Sequence, residues 1–580
     1  MIEHRTFSRE FIAERTWPFV LDLSVAAALL AGFYAVLWIA KFWFSGAIPE
    51  VNIERSPSHL PLYAFYSTAR IFIAYILSLT FAILYGYIAA YNKRVEALMI
   101  ATLDILQSIP VLSFLPGVML AMMSLFPSRQ LGIEMGAILL IFTGEVWNMA
   151  FSFYSSLKSI PRELREACTI NRFSRIQRLF QLELPYATIG LVWNSMVSVA
   201  SGWFFLIVCE MFPVGSRNFR LPGLGSYLQT AASNGDTQAL LYGLVTMILI
   251  IVLTDQLLWR PLIAWSDKFK FENVESADRI QSPILHIIRN SNVIGLLHRR
   301  TFEPISEGMY RFIAQRHERH IGKKVTPRKS RRSVTVLITL LSIVALGAVL
   351  TAAFHASLLL RQIHRHELLG LLEGAAATFL RVNVSLLLAS LWTIPVGVAI
   401  GFNPRIAHIT QPLAQIAASF PATALFPVIL LALMRLGLGL GVGSIALMML
   451  GTQWYILFNV IAGAMAIPSD LKEVSSLFQF TSLQRWATVI LPGIFPFLIT
   501  GLVTASGGAW NASIVAEYFQ LKDQTLMTPG LGAQISAASN RGDFPTLLLA
   551  TIIMALMVVT INRLVWRPLY HLAETKYRLD

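Results

Sequence analysis

Five ionisable side chains lie within or at the ends of long apolar runs: Arg70, Glu145, Glu210, Arg381 and Glu517. A charge at bilayer depth is costly, so such residues mark transport pathways, gates or buried ion pairs. Glu145 either lines a pathway, or pairs with a basic residue or with Trp147 as structural glue. Glu210 and Glu517 fall near one face, where a gate, a contact with a docking protein and plain capping or interface solvation would each use a carboxylate. For an anionic cargo, Arg70 and Arg381 are the better charge partners, although arginines at span ends also snorkel to the interface. Hydrolytic chemistry is missing from the pattern. There is no G-x-x-x-x-G-K-[ST] phosphate loop, no H-E-x-x-H and no G-x-S-x-G elbow. His364, His366 and Glu367 read as a solvated loop, not a metal site. Cys168 and Cys209 lie in no C-x-x-C or metal-ligand spacing.

The elements that carry these residues follow from composition. The chain of 580 residues is 55% hydrophobic and 13% charged, where soluble domains carry roughly 25% charged residues. A soluble enzyme, a disordered chain and a collagen-like chain are excluded. Uncharged runs near 20 residues recur, each long enough to cross a bilayer as a helix. Twelve spans are expected, near 21–43, 69–91, 101–125, 132–157, 187–210 and 237–258, then 333–357, 372–401, 408–434, 437–465, 493–515 and 545–565. Pro110, Pro116, Pro421 and Pro427 fall within spans and predict kinks. Residues 1–20 carry charges and no short apolar stretch of the secretory type, so the first apolar run is expected to stay in the membrane.

Basic residues set the orientation. Loop 158–186 holds Lys158, Arg162, Arg165, Arg172, Arg175 and Arg178, and segment 259–332 holds a further basic cluster ending in Arg331 and Arg332. Loops of the other parity are poorer. Both termini and the central segment are therefore expected in the cytoplasm. The formal net charge of +14 reflects this topology and not nucleic-acid binding, since no recognition fold accompanies it. The central segment reads as a basic amphipathic helix on the inner membrane surface.

The chain repeats itself. At a shift of 307, Trp147 meets Trp454, Ile160-Pro161 meets Ile467-Pro468, Glu210 meets Glu517, and Trp259-Arg260-Pro261-Leu262 meets Trp566-Arg567-Pro568-Leu569. Upstream the shift is 311, so that Arg70 meets Arg381 and Pro110 meets Pro421. The first copy thus has four extra residues, expected in an outer loop near 126–131. Even span numbers make the halves parallel, related by an axis along the membrane normal. The expected organisation is a first half over 1–262 (core about 65–262), a basic linker over 263–332 and a second half over 333–580 (core about 370–569). Glu145 faces Thr452 in this alignment, so any role is asymmetric.

The loop after the fourth span also occurs twice. One copy carries Glu166, Ala167, Arg172, Leu184 and Pro185; the other carries Glu473, Val474, Gln479, Leu491 and Pro492, with glutamate and proline nineteen residues apart in both. This resembles the E-A-A, three residues, G, nine residues, I-x-L-P signature of permease subunits of binding-protein-dependent ABC importers. The family glycine is replaced by Arg172 and Gln479, which puts the turn geometry in question. Asn171 beside Arg172 is expected to take the left-handed position in the first copy; the second copy has no such neighbour. Cys209-Glu210-Met211 before Gly223-Leu224-Gly225, and Ala516-Glu517-Tyr518 before Gly530-Leu531-Gly532, resemble the A-E-M…G-L-G pattern of the nitrate, sulfonate, taurine and bicarbonate branch, with a longer insert between.

The resemblance implies an all-α polytopic membrane protein of two type I permease halves. It implies an ATP-driven importer for a small anion, with ATP bound on a separate chain and no cofactor in this one. The implied partners are two copies of an ABC ATP-binding subunit, docked on the two loops, an extracytoplasmic solute-binding protein and the lipid bilayer. The implied location is the plasma (inner) membrane. An ion-coupled transporter of the major facilitator type is the alternative for twelve spans in parallel halves, but its basic motif is missing from Ala90–Glu96.

Overall fold

The computed structural model describes residues 52–269 and 357–576, apart from 94, 127–128, 215–216, 419 and 522–523, with isolated positions between the halves. In the first half, α1 (Leu60–Tyr91), α2 (Glu96–Ser108), α3 (Leu115–Leu125) and α4 (Arg129–Ser159) precede a short helix, α5 (Arg162–Ile170). Then come α6 (Leu184–Glu210), a hairpin of β1 (Met211–Val214) and β2 (Arg217–Arg220), α7 (Leu224–Ser233) and α8 (Thr237–Thr254). The second half repeats the order: α9 (Arg365–Phe402), α10 (Pro404–Ala418), α11 (Ala422–Arg435), α12 (Leu440–Ala466), α13 (Ser469–Leu477), α14 (Leu491–Ala516), β3 (Tyr518–Leu521), β4 (Gln524–Met527), α15 (Leu531–Arg541) and α16 (Phe544–Ile561).

Each half is held by a trio of long helices, α1–α4–α6 and α9–α12–α14. Helices associate in lipid by close packing of small residues rather than by hydrophobicity. The buried face of α1 carries Ser67, Ala74, Ser78, Ala82, Gly86 and Ala89 at three- to four-residue spacing. A Cβ at Gly86 would come within 2.8 Å of the Phe153 ring. Gly397, its counterpart on α9, meets Val460 in the same way.

Among the described residues, eight helices are long and apolar enough to cross a membrane. They match eight of the twelve expected spans. The spans expected over 101–125 and 408–434 are broken instead. Pro110 and Pro421 end the first segment, because a proline and the residue before it both resist helical continuation. α2 therefore stops at Ser108, and a single 3₁₀ turn, Val111–Phe114, leads into α3. The second-half break separates α10 from α11, while Pro427 stays inside α11. The spans expected over 21–43 and 333–357, like most of the 263–332 linker, lie outside the described residues apart from isolated positions.

Two details correct the sequence expectations. The four extra residues of the first copy lengthen a helix and not a loop: α4 has 31 residues where α12 has 27. The long insert after Glu210 and after Glu517 forms an antiparallel hairpin in each half, pairing Phe212 with Phe219 and Phe519 with Leu526. Phe212 and Phe219 stack at 5.1 Å between centroids and are both buried.

Candidate functional site

Two features stand where the sequence placed its candidate residues, and a third does not. The first is the duplicated loop after α4 and α12. α5 follows Pro161 and turns Cys168 inward, against the cluster that includes Phe153, Leu157 and Ile160. Burial pushes the Cys168 thiol up from its ordinary range. Glu166, Ala167 and Arg172 stay exposed on the opposite side, as do Glu473, Val474 and Gln479 in the second copy. Leu184 and Pro185 begin α6, half-buried; Leu491 and Pro492 begin α14. One π-helical turn, Leu179–Glu183 or Trp486–Ile490, precedes each proline. A wider turn there accommodates a residue with no N–H to donate.

The missing glycines do not abolish the turn. Arg172 and Gln479 themselves adopt the left-handed conformation, each at φ 51°. Asn171 stays at φ −77° and does not substitute, which corrects the sequence expectation. The Phe173 amide donates to the Cys168 carbonyl at 2.9 Å and the Arg172 amide to Thr169 at 3.0 Å. That is the Schellman pattern of a helix C-terminus. Phe480 donates to Ser475 in the second copy at 3.1 Å. The next helical turn opens in both copies with a reciprocal capping box, Ser174 with Gln177 and Thr481 with Gln484. The S-x-x-Q and T-x-x-Q spacing could have been read in advance.

The loops are tethered differently. Glu183 accepts from Arg178 Nε and from the Tyr91 hydroxyl, both at 2.6 Å, and the Arg178 guanidinium lies 4.6 Å from the Tyr91 ring centroid. In the second copy Ile490 replaces Glu183, and Arg485 lies over the Phe402 ring at 5.6 Å.

The second feature is a buried ionic cluster at the far end of α6 and of α14. Arg70 Nη1 donates to Glu210 at 2.6 Å, and its Nε and Nη2 grip Glu134 at 2.5 and 2.7 Å. Glu210 also accepts from the Ser67 hydroxyl and from the Gly225 amide, both at 2.6 Å. Gly225 lies in the first turn of α7, so the carboxylate sits where a helix N-terminus favours negative charge. The second half rebuilds this with Glu517, which accepts from Arg381, Thr378 and the Gly532 amide, each at 2.9 Å. Arg381 completes its bonds with Thr528 and the Pro529 carbonyl instead of a second acid. Arg70 therefore does not snorkel, and Glu210 and Glu517 cap a helix. A Cβ at Gly223 would collide with the Glu210 carboxylate, and one at Gly530 with that of Glu517. The G-L-G element is glycine-rich because a carboxylate passes against its backbone.

Glu145 is fully buried, with no hydrogen-bond partner for either oxygen among the described residues. It packs against Gly202 of α6, and the neighbouring Ser78 hydroxyl donates to the Phe142 carbonyl. Trp147 Nε1 is likewise unpartnered. Neither pairing expected for Glu145 is found.

The third feature was not anticipated from sequence. A cavity of about 160 Å³ lies between the halves, lined by residues that the repeat relates: Ile207 with Ile514, Val208 with Val515, and Phe212 with Phe519. It therefore lies on the pseudo-twofold axis. Elements of the two halves cross there: α6 touches α11, β1 touches α15, and the Asn511 side chain accepts from the Val111 amide at 2.7 Å. Arg70, Glu145, Glu210, Arg381 and Glu517 are not among its lining residues, and no charged side chain is.

Two parallel helical halves around one axial cavity, each with an exposed loop at one end and a carboxylate-capped helix at the other, define a duplicated transport permease. Residues 82–258 and 393–570 each match the binding-protein-dependent transport system inner membrane component family, and the chain belongs to that family. It is similar to a nitrate import permease protein of Leptolyngbya laminosa, 29% identical over 34% of this chain and 67% of the relative. A bicarbonate transport system permease protein of Synechococcus elongatus is 28% identical over 26% of this chain and 52% of the relative. A taurine transport system permease protein of Escherichia coli is 29% identical over 29% of this chain and 57% of the relative. The chain thus spans between half and two thirds of the length of these relatives.

Proposed function

We propose that the chain is a permease pair of an ATP-driven importer for a small oxyanion, both halves being fused in one polypeptide. One observation carries this reading. The loop after α4 is reproduced after α12 with the same left-handed residue, the same capping box and the same exposed face, although the side chains differ. A duplicated backbone with divergent side chains is what two docking knobs for a common partner require. Each knob receives one ATP-binding subunit on the cytoplasmic side, and ATP is bound there and not on this chain. Helix α5 is joined to α4 by Ile160 and Pro161 alone, so movement of the knob is passed to the α1–α4–α6 trio. The basic segment 263–332 joins the halves on the cytoplasmic side, and an extracytoplasmic binding protein delivers cargo to the outer hairpins. The relatives named for nitrate, bicarbonate and taurine support a small anion as cargo.

The test is co-purification of the full chain with the ATP-binding subunit, comparing wild type with Glu166→Lys/Glu473→Lys. The expected result is one chain with two subunits, lost in the double variant. Uptake that continues at full rate in that variant, or without ATP, would overturn the reading.

A further inference from the structure

The two walls of the axial cavity are related by the repeat but are not chemically alike. Leu112 on the first-half wall is replaced by Thr423 on the second, Met211 by Tyr518, and Ala232 by Ser539. Polar groups thus accumulate on the second-half side, while the first-half side stays largely apolar.

The hydrogen-bonding state sharpens this difference. The Ser233 hydroxyl donates to the Gln229 carbonyl, and the Ser536 hydroxyl, at the position the repeat relates to Gln229, donates to the Ile514 carbonyl. Gln229 Nε2 donates to the Ile207 carbonyl. These groups are committed to backbone. Thr423 is only 6% exposed, lines the cavity, and its hydroxyl has no partner among the described residues. Tyr518 receives a hydrogen bond from Asn540 Nδ2, which leaves its own hydroxyl hydrogen for another acceptor. An unpartnered buried hydroxyl destabilises the fold unless something bonds to it. The two uncommitted hydroxyl donors lie on one wall, opposite Leu112 and Met211.

We infer that the cavity is a ligand site for a small organic oxyanion, its head bonded by the Thr423 and Tyr518 hydroxyls and its short apolar body laid against Leu112, Leu115 and Met211. The inference rests on the importer reading and narrows its cargo. Size agrees: the cavity measures about 160 Å³, and one near 150 Å³ takes a benzene-sized guest. A planar inorganic anion would fill only part of it and leave the apolar wall uncovered. The lack of a lining cation agrees as well. Neutral donors can hold a head group briefly and release it, whereas a buried arginine would hold a desolvated anion tightly. Specificity in such sites comes from a few placed polar groups in an apolar lining.

The test uses the full chain in lipid nanodiscs, with butane-1-sulfonate, taurine, nitrate and bicarbonate as separate probes. Binding is read as a rise in melting temperature with ligand concentration. Butane-1-sulfonate is expected to stabilise saturably, and nitrate and bicarbonate at equal concentration to give no shift. Thr423→Val keeps the shape and removes the hydroxyl. It is expected to raise the half-saturating concentration of butane-1-sulfonate about tenfold, the weight of one hydrogen bond to a charged group. The same variant should leave the unliganded melting temperature unchanged or higher, because an unpartnered buried group is lost. A merely structural threonine would not give these opposite signs. Stabilisation by nitrate equal to that by butane-1-sulfonate, no shift with any probe, or an unaltered half-saturation in Thr423→Val would each overturn the site. ATP-dependent uptake by the chain assembled with its ATP-binding subunit separates the two readings. Nitrate uptake that needs ATP, without a butane-1-sulfonate shift, sinks the cavity ligand and leaves the importer. A butane-1-sulfonate shift with uptake indifferent to ATP does the reverse.

Discussion

Arg70 Nη1 lies 2.6 Å from Glu210 Oε1, both side chains being almost wholly withdrawn from solvent, and the Gly225 amide meets the other oxygen of the same carboxylate at 2.6 Å. One carboxylate thereby ties α1, α6 and the start of α7 together. A buried pair of this kind is weak evidence for net stability, but removing one member leaves a charge with no partner. Its role is to fix how the end of each half opposite the duplicated loop is assembled.

The two copies of this cluster should respond unequally. Arg70→Met strands Glu210 and Glu134 together and is expected to cost about 3–5 kcal/mol. Arg381→Met should cost less. The Arg381 side chain is 15% exposed against 4% for Arg70, and it serves one carboxylate and two neutral acceptors. Thermal unfolding of the two variants in the same lipid checks the order. Equal losses would show that the second acid, Glu134, adds nothing.

Gly223→Ala and Gly530→Ala place a methyl group against the Glu210 and Glu517 carboxylates. Each should displace its carboxylate from the amide at the start of the next helix and destabilise its half by about 2 kcal/mol or more. Gly437 is the control. It has open space around it but a φ of 77°, so Gly437→Ala meets only the left-handed backbone penalty, about 1 kcal/mol. Melting temperatures that fall equally in all three would refute the carboxylate argument.

The left-handed Arg172 and Gln479 make an opposite prediction. A non-glycine residue in that conformation carries roughly 1–2 kcal/mol of strain. Glycine relieves it but adds entropy to the unfolded chain. Arg172→Gly and Gln479→Gly are therefore expected to stabilise by about 0.5–1 kcal/mol each, with α5 and α13 intact. A lower melting temperature in either variant would mean that the side chain itself holds the loop.

Acid should act on the loop end of the first half through Glu96. Its carboxylate receives Lys158 Nζ at 2.6 Å and the Tyr154 hydroxyl at 2.6 Å, and the Lys158 bond first, then Tyr154, holds it below the usual carboxylate range. A depressed folded value means that this contribution is complete above the unfolded value, about 4.3. It is lost as pH falls through the folded value. Between about pH 5 and pH 3, wild type should therefore lose more melting temperature than Glu96→Gln. Parallel profiles would remove Glu96 from the acid response.

How far the sequence could be read varies with the kind of interaction. Pro110 and Pro421 announced irregular backbone because a proline acts on its own chain neighbours, yet whether it kinks or breaks a span depends on what packs against the gap. The capping boxes at Ser174 and Thr481 were legible for the same local reason. The hairpins after Glu210 and Glu517 were not, since the pairing of two four-residue strands leaves little pattern.

The amino-acid order alone determined what is local or periodic: the apolar runs, the basic loops, the parallel repeat at a shift of 307, and the duplicated glutamate-to-proline spacing. These follow from hydrophobicity, charge and self-similarity, which need no knowledge of contacts. Only the tertiary structure decided that Arg70 meets Glu210 across 140 residues, that neither Glu145 oxygen meets a hydrogen-bond partner among the described residues, and that Thr423 and Tyr518 face Leu112 and Met211 across one axial cavity. Each of these is a meeting of distant segments. Residue identity supplies the charge or hydroxyl, but packing of helices against helices determines what it faces.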